Sequence, residues 1–423
     1  MVKSPFTLLL LSIFVAVRLS ATIDDTSQRS FDERIRSLQV KSINDNLTVG
    51  TPCIIMDTGD AIKIDFDILS EDRDYLRYEV IHCNADWKPS TLSYLEYLDG
   101  FNEGQIELFD FSMATTVDYV HYSLVLPNED FSFKLSGNYI VRIYDESEPD
   151  NTLVLARFTV SEQTAPVSAF ITSRTDSGYN SKYQQLEIAI DCDRAPVRDL
   201  FNDLKVVITQ NGRPDAIHVT NHPMRVTGRK VIYEHSPELI FDAGNEYRRF
   251  ETVLNTLPGM NTDFIEWHAP YYHHYLAVDK PRSAISYSYD QTLRGGYVVR
   301  EYNSDNGDID ADYVVVHFSL EMPELFNTDI FIDSDAFDRV LGPESRMVYN
   351  RGTGRYEKAA LLKQGSYSYQ YLAVPSGKLN GLTQTVEGDK YQTVNQYTVD
   401  VYTRVPGERY DRMIGHAIFF VNQ

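Results

Sequence analysis

The sequence predicts an all-β protein built from three β-sandwich domains in series. Strand-like runs follow one another from about residue 35 onward with hardly a helical pattern between them. The chain carries 29 Tyr and 21 Phe, residues suited to half-buried pleated surfaces. A turn–Gly–Tyr strand entry also recurs three times, at Gly137/Tyr139, Gly244/Tyr247 and Gly365/Tyr367.

The first 21 residues read as a secretory signal peptide. Lys3 supplies the positive start, Phe6 to Val17 the apolar run, and Ser20 and Ala21 the small residues before cleavage. Residues 22–33 are polar and acidic and read as a leader. An N-terminal sandwich is expected over residues 34–163, where IRSLQVKSI, PCIIMD, AIKIDFDIL, LRYEVIHC, TVDYVHYSLVL, NYIVRIYD and TLVLARFTV are strand-like. In AIKIDFDIL, Ile62, Ile64, Phe66 and Ile68 share one face and Lys63, Asp65 and Asp67 the other, the alternation of a half-buried strand. The break near TVSEQTAPVSAF opens a middle sandwich over residues 164–290. The Gly-rich, acidic stretch QTLRGGYVVREYNSDNGDIDAD opens a C-terminal one over residues 291–423. Gly137 two residues before Tyr139, and Gly365 two before Tyr367, match the tyrosine corner of immunoglobulin-like sandwiches, in which the phenol bonds backbone at a sheet corner. The expected class is therefore immunoglobulin-like or E-set-like.

Composition excludes several functions. The formal charge is −22, and the signal segment contributes Lys3 and Arg18 but no acid, so the exported chain is more acidic still. Such a chain repels nucleic acid and anionic lipid. After the signal, no apolar stretch is long enough for a membrane-spanning helix, so the protein is expected to be exported and not integral to a membrane. Three cysteines do not make a disulfide scaffold, although Cys53 and Cys83 fall in one region and are candidates for a bridge.

The stretch HCNADWKPS, residues 82–90, is densest in reactive side chains. Zinc needs about four ligands, and no second Cys or His stands at short spacing. Adjacent strand residues point to opposite faces, so His82 and Cys83 diverge and do not form a nucleophile–base pair. The structural reading places Cys83 inward, Asn84 and Asp86 in local turn bonds, and Trp87 as a plug at the sandwich end. DNGDIDAD (residues 305–312) invites calcium but lacks the acid at the twelfth position, and a solvated turn is expected. His218 and His222, and the adjacent His273 and His274, lack the spacing and acidic partners of a metal motif. Tyr367, Tyr369 and Tyr371 share one sheet face, either a sugar-stacking platform or, better, core. No nucleophile elbow, phosphate loop or catalytic Cys signature is present. No catalytic, metal or cofactor-binding residue is assigned.

Taken together, RYEVIHCNADWKPS, DYVHYSLVLPN, LSGNYIVRIY, VVITQNGR, ADYVVVHFSL, LLKQGSYSYQY, TVEGDKYQTVNQYTVDVY and GERYDRMIG resemble the plug protein family of the Bacteroidetes type IX secretion system. The most specific elements are His82-Cys83-x-x-x-Trp87-x-x-Ser90 and the Ser-Gly137-Asn-Tyr139 strand entry. The resemblance implies a non-enzymatic periplasmic protein without cofactors that docks on the periplasmic mouth of an outer-membrane translocon barrel and closes it. The residues alone leave two alternatives: an exported carbohydrate-binding or other interaction module built from aromatic-rich sandwiches, and a hydrolase whose acids are hidden in the acidic composition.

Overall fold

The computed structural model describes residues 26–44 and 48–421. The signal segment, the start of the leader and Asn46 of the Asn46-Leu47-Thr48 glycosylation sequon lie outside the described residues.

Regular structure is almost entirely β, with two four-residue helices at Tyr94–Tyr97 and Gly307–Asp310 and two short 3-10 turns among the described residues. The strands build three packed sandwiches, each with its own apolar core. In the first, Arg29–Ser30, Thr152–Ser161, Gly137–Asp145, Leu76–Cys83 and Glu103–Gln105 form one sheet, and Cys53–Ile55 adds to Thr152–Ser161 in parallel. The facing sheet runs Ile35–Ser42, Ile62–Ile68, Val120–Leu126 and Leu108–Phe111. Ile62, Ile64, Phe66 and Ile68 enter the core as the alternation requires. Asp67 breaks the pattern: it points away from that core yet is buried, because another sandwich covers it.

The second sandwich departs from chain order. One sheet joins Val167–Thr172, Tyr183–Asp191, Lys230–Tyr233 and Arg225–Thr227, with Ile240–Asp242 also paired to Tyr183–Asp191. Its other sheet runs Ile217–Thr220, Leu204–Gln210, Gln396–Thr403 and Arg412–Phe420. The strands after residue 395, grouped by sequence with residues 291–423, thus belong to the middle core, where Tyr397, Val399, Val401 and Ile414 pack with Ile188, Val206 and Ile208. Leu204–Gln210 has a hairpin partner on one side only; a core strand with an unpaired edge leaves backbone groups unsatisfied, and Gln396–Thr403 fills that edge.

The third sandwich is inserted between those halves. Arg248–Glu251, Gly365–Pro375, Tyr297–Val299 and Thr328–Asp333 form one sheet. The other has the order Thr262–His268, Tyr271–Leu276, Tyr313–Glu321, Arg355–Lys363, Val348–Asn350. Phe250, expected in the middle domain, belongs to this third core beside Phe318, Tyr367 and Tyr369. The change of core falls between Asp242 and Arg248 rather than at residue 290, and the chain returns to the second sandwich at Gln396.

Candidate functional site

His82 ends the Leu76–Cys83 strand opposite Tyr139 and is almost fully buried. Its Nε2 donates to the Ser136 carbonyl at 3.1 Å, so Nδ1 is the bare nitrogen and accepts from Ser90 Oγ at 2.9 Å. The Ser90 amide donates to the His82 carbonyl at 2.9 Å, closing a hairpin over the turn Asn84–Trp87. Rings of Tyr97, Tyr139 and Tyr410 surround the imidazole. Burial pulls its pKa down to about 4, so it is a neutral, fully bonded wedge. Gly137, at φ +140°, leaves the space: a Cβ there would lie 2.6 Å from His82 Nε2.

His82 and Cys83 take opposite faces and both are buried, Cys83 on the face away from the main sandwich core. His82 turns toward the aromatic core side. Cys83 is buried on the other face with Ile140 and Leu155, under Trp87. Trp87 is half-buried rather than a plug; it sits at φ +63° with its ring against the Arg157 guanidinium, 4.3 Å away. Asn84 is more than a turn residue, since its Oδ1 accepts from Arg404 and from the Asp411 amide of the second sandwich.

Two strand entries are true tyrosine corners. Tyr139 donates to the Leu135 carbonyl at 2.7 Å and Tyr367 to the Lys363 carbonyl, each four residues upstream. Gly365 precedes the second corner, and a Cβ there would strike the Val298 carbonyl. Tyr247, the third, donates instead to the Asp333 carboxylate at 2.9 Å. Tyr367, Tyr369 and Tyr371 lie in the core, and the latter two share Asp279 Oδ2 at 2.6 and 2.8 Å.

The candidate disulfide does not form. None of Cys53, Cys83 and Cys192 is in a disulfide. Cys83 pairs with Asn138, Asn138 with Thr159 and Thr159 with Cys53, so the two cysteines stand three strands apart in one row. At about 4.8 Å per strand that is roughly 14 Å, about twice the Cα separation a disulfide tolerates.

The acidic stretch 305–312 is not a simple solvated turn. Asp312 is buried and accepts from the Thr116 amide and hydroxyl at 3.1 and 2.7 Å, and burial raises its pKa. His218 stacks on Phe241 and bonds the Glu238 carbonyl, while His222 is exposed. His273 and His274 separate: His274 is buried with Nε2 3.0 Å from Asn255 Oδ1, whereas His273 Nδ1 lies 2.8 Å from Nε2 of His317. Among the described residues, no group of three or more His, Cys, Asp or Glu side chains converges as metal ligands do.

The most heavily built polar sites are the seams between sandwiches. Between the first and third, Asp67 accepts from His121 Nδ1 at 2.7 Å, Tyr313 at 2.6 Å and Lys363 Nζ at 2.6 Å. Burial alone would pull the His121 pKa down, but its hydrogen bonds to Asp65 and Asp67 outweigh that and hold it at about 9. Between the second and third, Arg213 and Arg339 flank buried Asp333, which also accepts from Tyr247 and Gln370. Burial raises the Asp333 pKa, and the two guanidinium groups reverse this and keep it low. Between the first and second, Tyr402 donates to Asn138 Oδ1 at 2.7 Å, and Gln396 exchanges two hydrogen bonds with the backbone of Val49. The sequence drew attention to Tyr247 as a strand entry and to Asp67 as an outward strand residue, but assigned none of these residues to a seam. Asp67 occupies a nominally solvent-facing position, and its partner Lys363 is 296 residues away.

A family model described as the type 9 secretion system plug protein first domain matches residues 35–162. The crystal structure of a hypothetical protein from Parabacteroides merdae is similar over 93% of this chain and 99% of that one, with 39% identity and a TM-score of 0.91. No curated protein matches the chain.

Proposed function

The chain belongs to the family of type 9 secretion system plug proteins, and from that premise we propose that it is a non-enzymatic periplasmic protein that docks on the periplasmic mouth of an outer-membrane translocon barrel and closes it. The observation that carries this reading is the triangle of seams. Every pair of sandwiches is joined by a buried polar node, so the three resist sliding past one another. Sliding the first sandwich against the third would strand Asp67 or Lys363 without a partner in a dry interior, which is costly. A stopper for a wide mouth needs such a stiff body. A protein that binds only the closed barrel shifts the gate by its difference in affinity for the two states.

The sugar-platform alternative loses its main support, because the rings of Tyr367, Tyr369 and Tyr371 are buried. No described helix is long and apolar enough to cross a membrane.

The test is affinity capture of the exported protein from native outer membranes. Recovery of a large outer-membrane barrel in a stable complex, lost when the barrel is engaged by secretion substrate, is the expected result. Capture without any such barrel, coupled with glycan binding, overturns the reading.

A further inference from the structure

One face of the third sandwich is only partly used by the seams. Tyr313, Val315 and His317 alternate along it, opposite to the core residues Val314, Val316 and Phe318. At its Tyr313–Lys363 end this face meets the first sandwich. Farther along the same strand, and across to Tyr271–Leu276 and Thr262–His268, it opens to solvent.

We infer that this open face holds a divalent transition-metal site built on His273 and His317, with His268 and Glu266 completing the ligand set. The proposal stands apart from the plug reading.

Three observations carry it. First, the ring nitrogens of His273 and His317 face each other at 2.8 Å. In the metal-free protein one ring donates its N–H to the other. A metal ion takes the place of that hydrogen, which moves to the other nitrogen of the same ring, leaving two lone pairs that face each other. With metal–nitrogen distances of about 2.0–2.1 Å and tetrahedral angles, the two nitrogens need to separate by about half an ångström, and the lone pairs to tilt about 35° off the line joining them.

Second, the pair is held in place. His317 stacks on Tyr275 with centroids 4.2 Å apart and planes 7° from parallel, and Tyr275 stacks in turn on Phe264 at 4.4 Å. The sheet therefore meets the cost of ordering the His317 ring before any ion arrives.

Third, further ligands stand beside the pair. Glu266 is the ladder partner of His273, and the His268 ring lies edge-on to His273 with centroids 4.9 Å apart. His268 Nε2 and Glu266 Oε2 hold each other at 3.1 Å, and both side chains are more than half exposed. Because they engage one another, the four groups do not yet converge, but rotation of two solvent-exposed side chains brings them in. Imidazole-rich sets with one carboxylate suit zinc, copper and nickel rather than calcium or magnesium.

The test uses the exported protein without a polyhistidine tag, treated with chelator and titrated with zinc chloride by calorimetry. One zinc per chain is expected, with a rise in melting temperature. His273→Ala and His317→Ala should each abolish that stoichiometric binding. His317→Gln, which retains bulk against Tyr275, should do the same while melting like the metal-free parent. His235→Ala, at an exposed site elsewhere, should leave binding unchanged. Absence of saturable zinc binding by the parent protein overturns the proposal. So does a His273→Ala/His317→Ala double variant that binds zinc as the parent does.

Discussion

Lys363 Nζ lies 2.6 Å from Asp67 Oδ2 with each side chain about 1% exposed, and the pair joins two different sandwiches. Each partner comes with a ladder neighbour: His121 beside Asp67, and Tyr313 beside Lys363. The node is two cross-strand pairs set face to face, so Asp67 Oδ1 is bonded from its own side of the seam and Oδ2 from the other.

Removing one partner should therefore be severe. Lys363→Met leaves Asp67 buried without its cation and should cost about 3–5 kcal/mol, the range for breaking a buried ion pair. Asp67→Asn should cost a similar amount. Urea unfolding of both single variants and the double should show a double-variant loss well short of additive.

The histidines give stability opposite pH slopes. The pKa of His82 is near 4 in the folded chain, below the unfolded value of about 6.5. Its burial is thus tolerated in full above pH 6.5, and stability falls as pH drops from 6.5 toward 4, because the unfolded state takes up the proton more readily. His121, at about 9 when folded, works the other way: its contribution is complete below pH 6.5 and is lost as pH rises through 9. Melting curves across this range should show His82→Asn flattening the acid limb and His121→Asn flattening the alkaline one.

Trp87→Ala should cost about 1–3 kcal/mol, less than the roughly 3–5 of a fully buried aromatic, because the ring is half-buried over Cys83 and against Arg157. Its more telling effect should be chemical. A thiol reagent should modify Cys53 in the native parent and leave Cys83 intact, whereas the variant should expose Cys83. Equal reactivity of Cys83 in both proteins would contradict the covering role.

Deleting residues 396–423 should unfold the second sandwich and spare the third. Hydrogen exchange should show protection lost in Tyr183–Asp191 and Leu204–Gln210 and retained in Tyr313–Glu321, whose core draws nothing from the deleted strands.

Legibility followed the range of the interaction. The corners at Tyr139 and Tyr367 could be read because glycine, tyrosine and the accepting carbonyl lie within five residues. The alternation of Ile62, Ile64, Phe66 and Ile68 was equally local. Alternation also separated His82 from Cys83, but periodicity says that two faces differ, not what covers each, and here both are buried. The pairing of Leu204–Gln210 with Gln396–Thr403, and the placing of Asp67 against Lys363, depend on register between distant segments that no window of sequence contains.

The insertion of the third sandwich into the second sets an order of events for a chain emerging from its N-terminus. The first sandwich has all its strands by Ser161, and the third by Pro375. The second begins at Val167 but lacks half of one sheet until Gln396–Phe420 appears, so it must wait, half-built, while its guest folds. During that interval the edge of Leu204–Gln210 and the apolar faces of Ile188, Val206 and Ile208 are open. This is the stage at which the newly made chain most needs protection from aggregation, and closing that sheet is its last folding step.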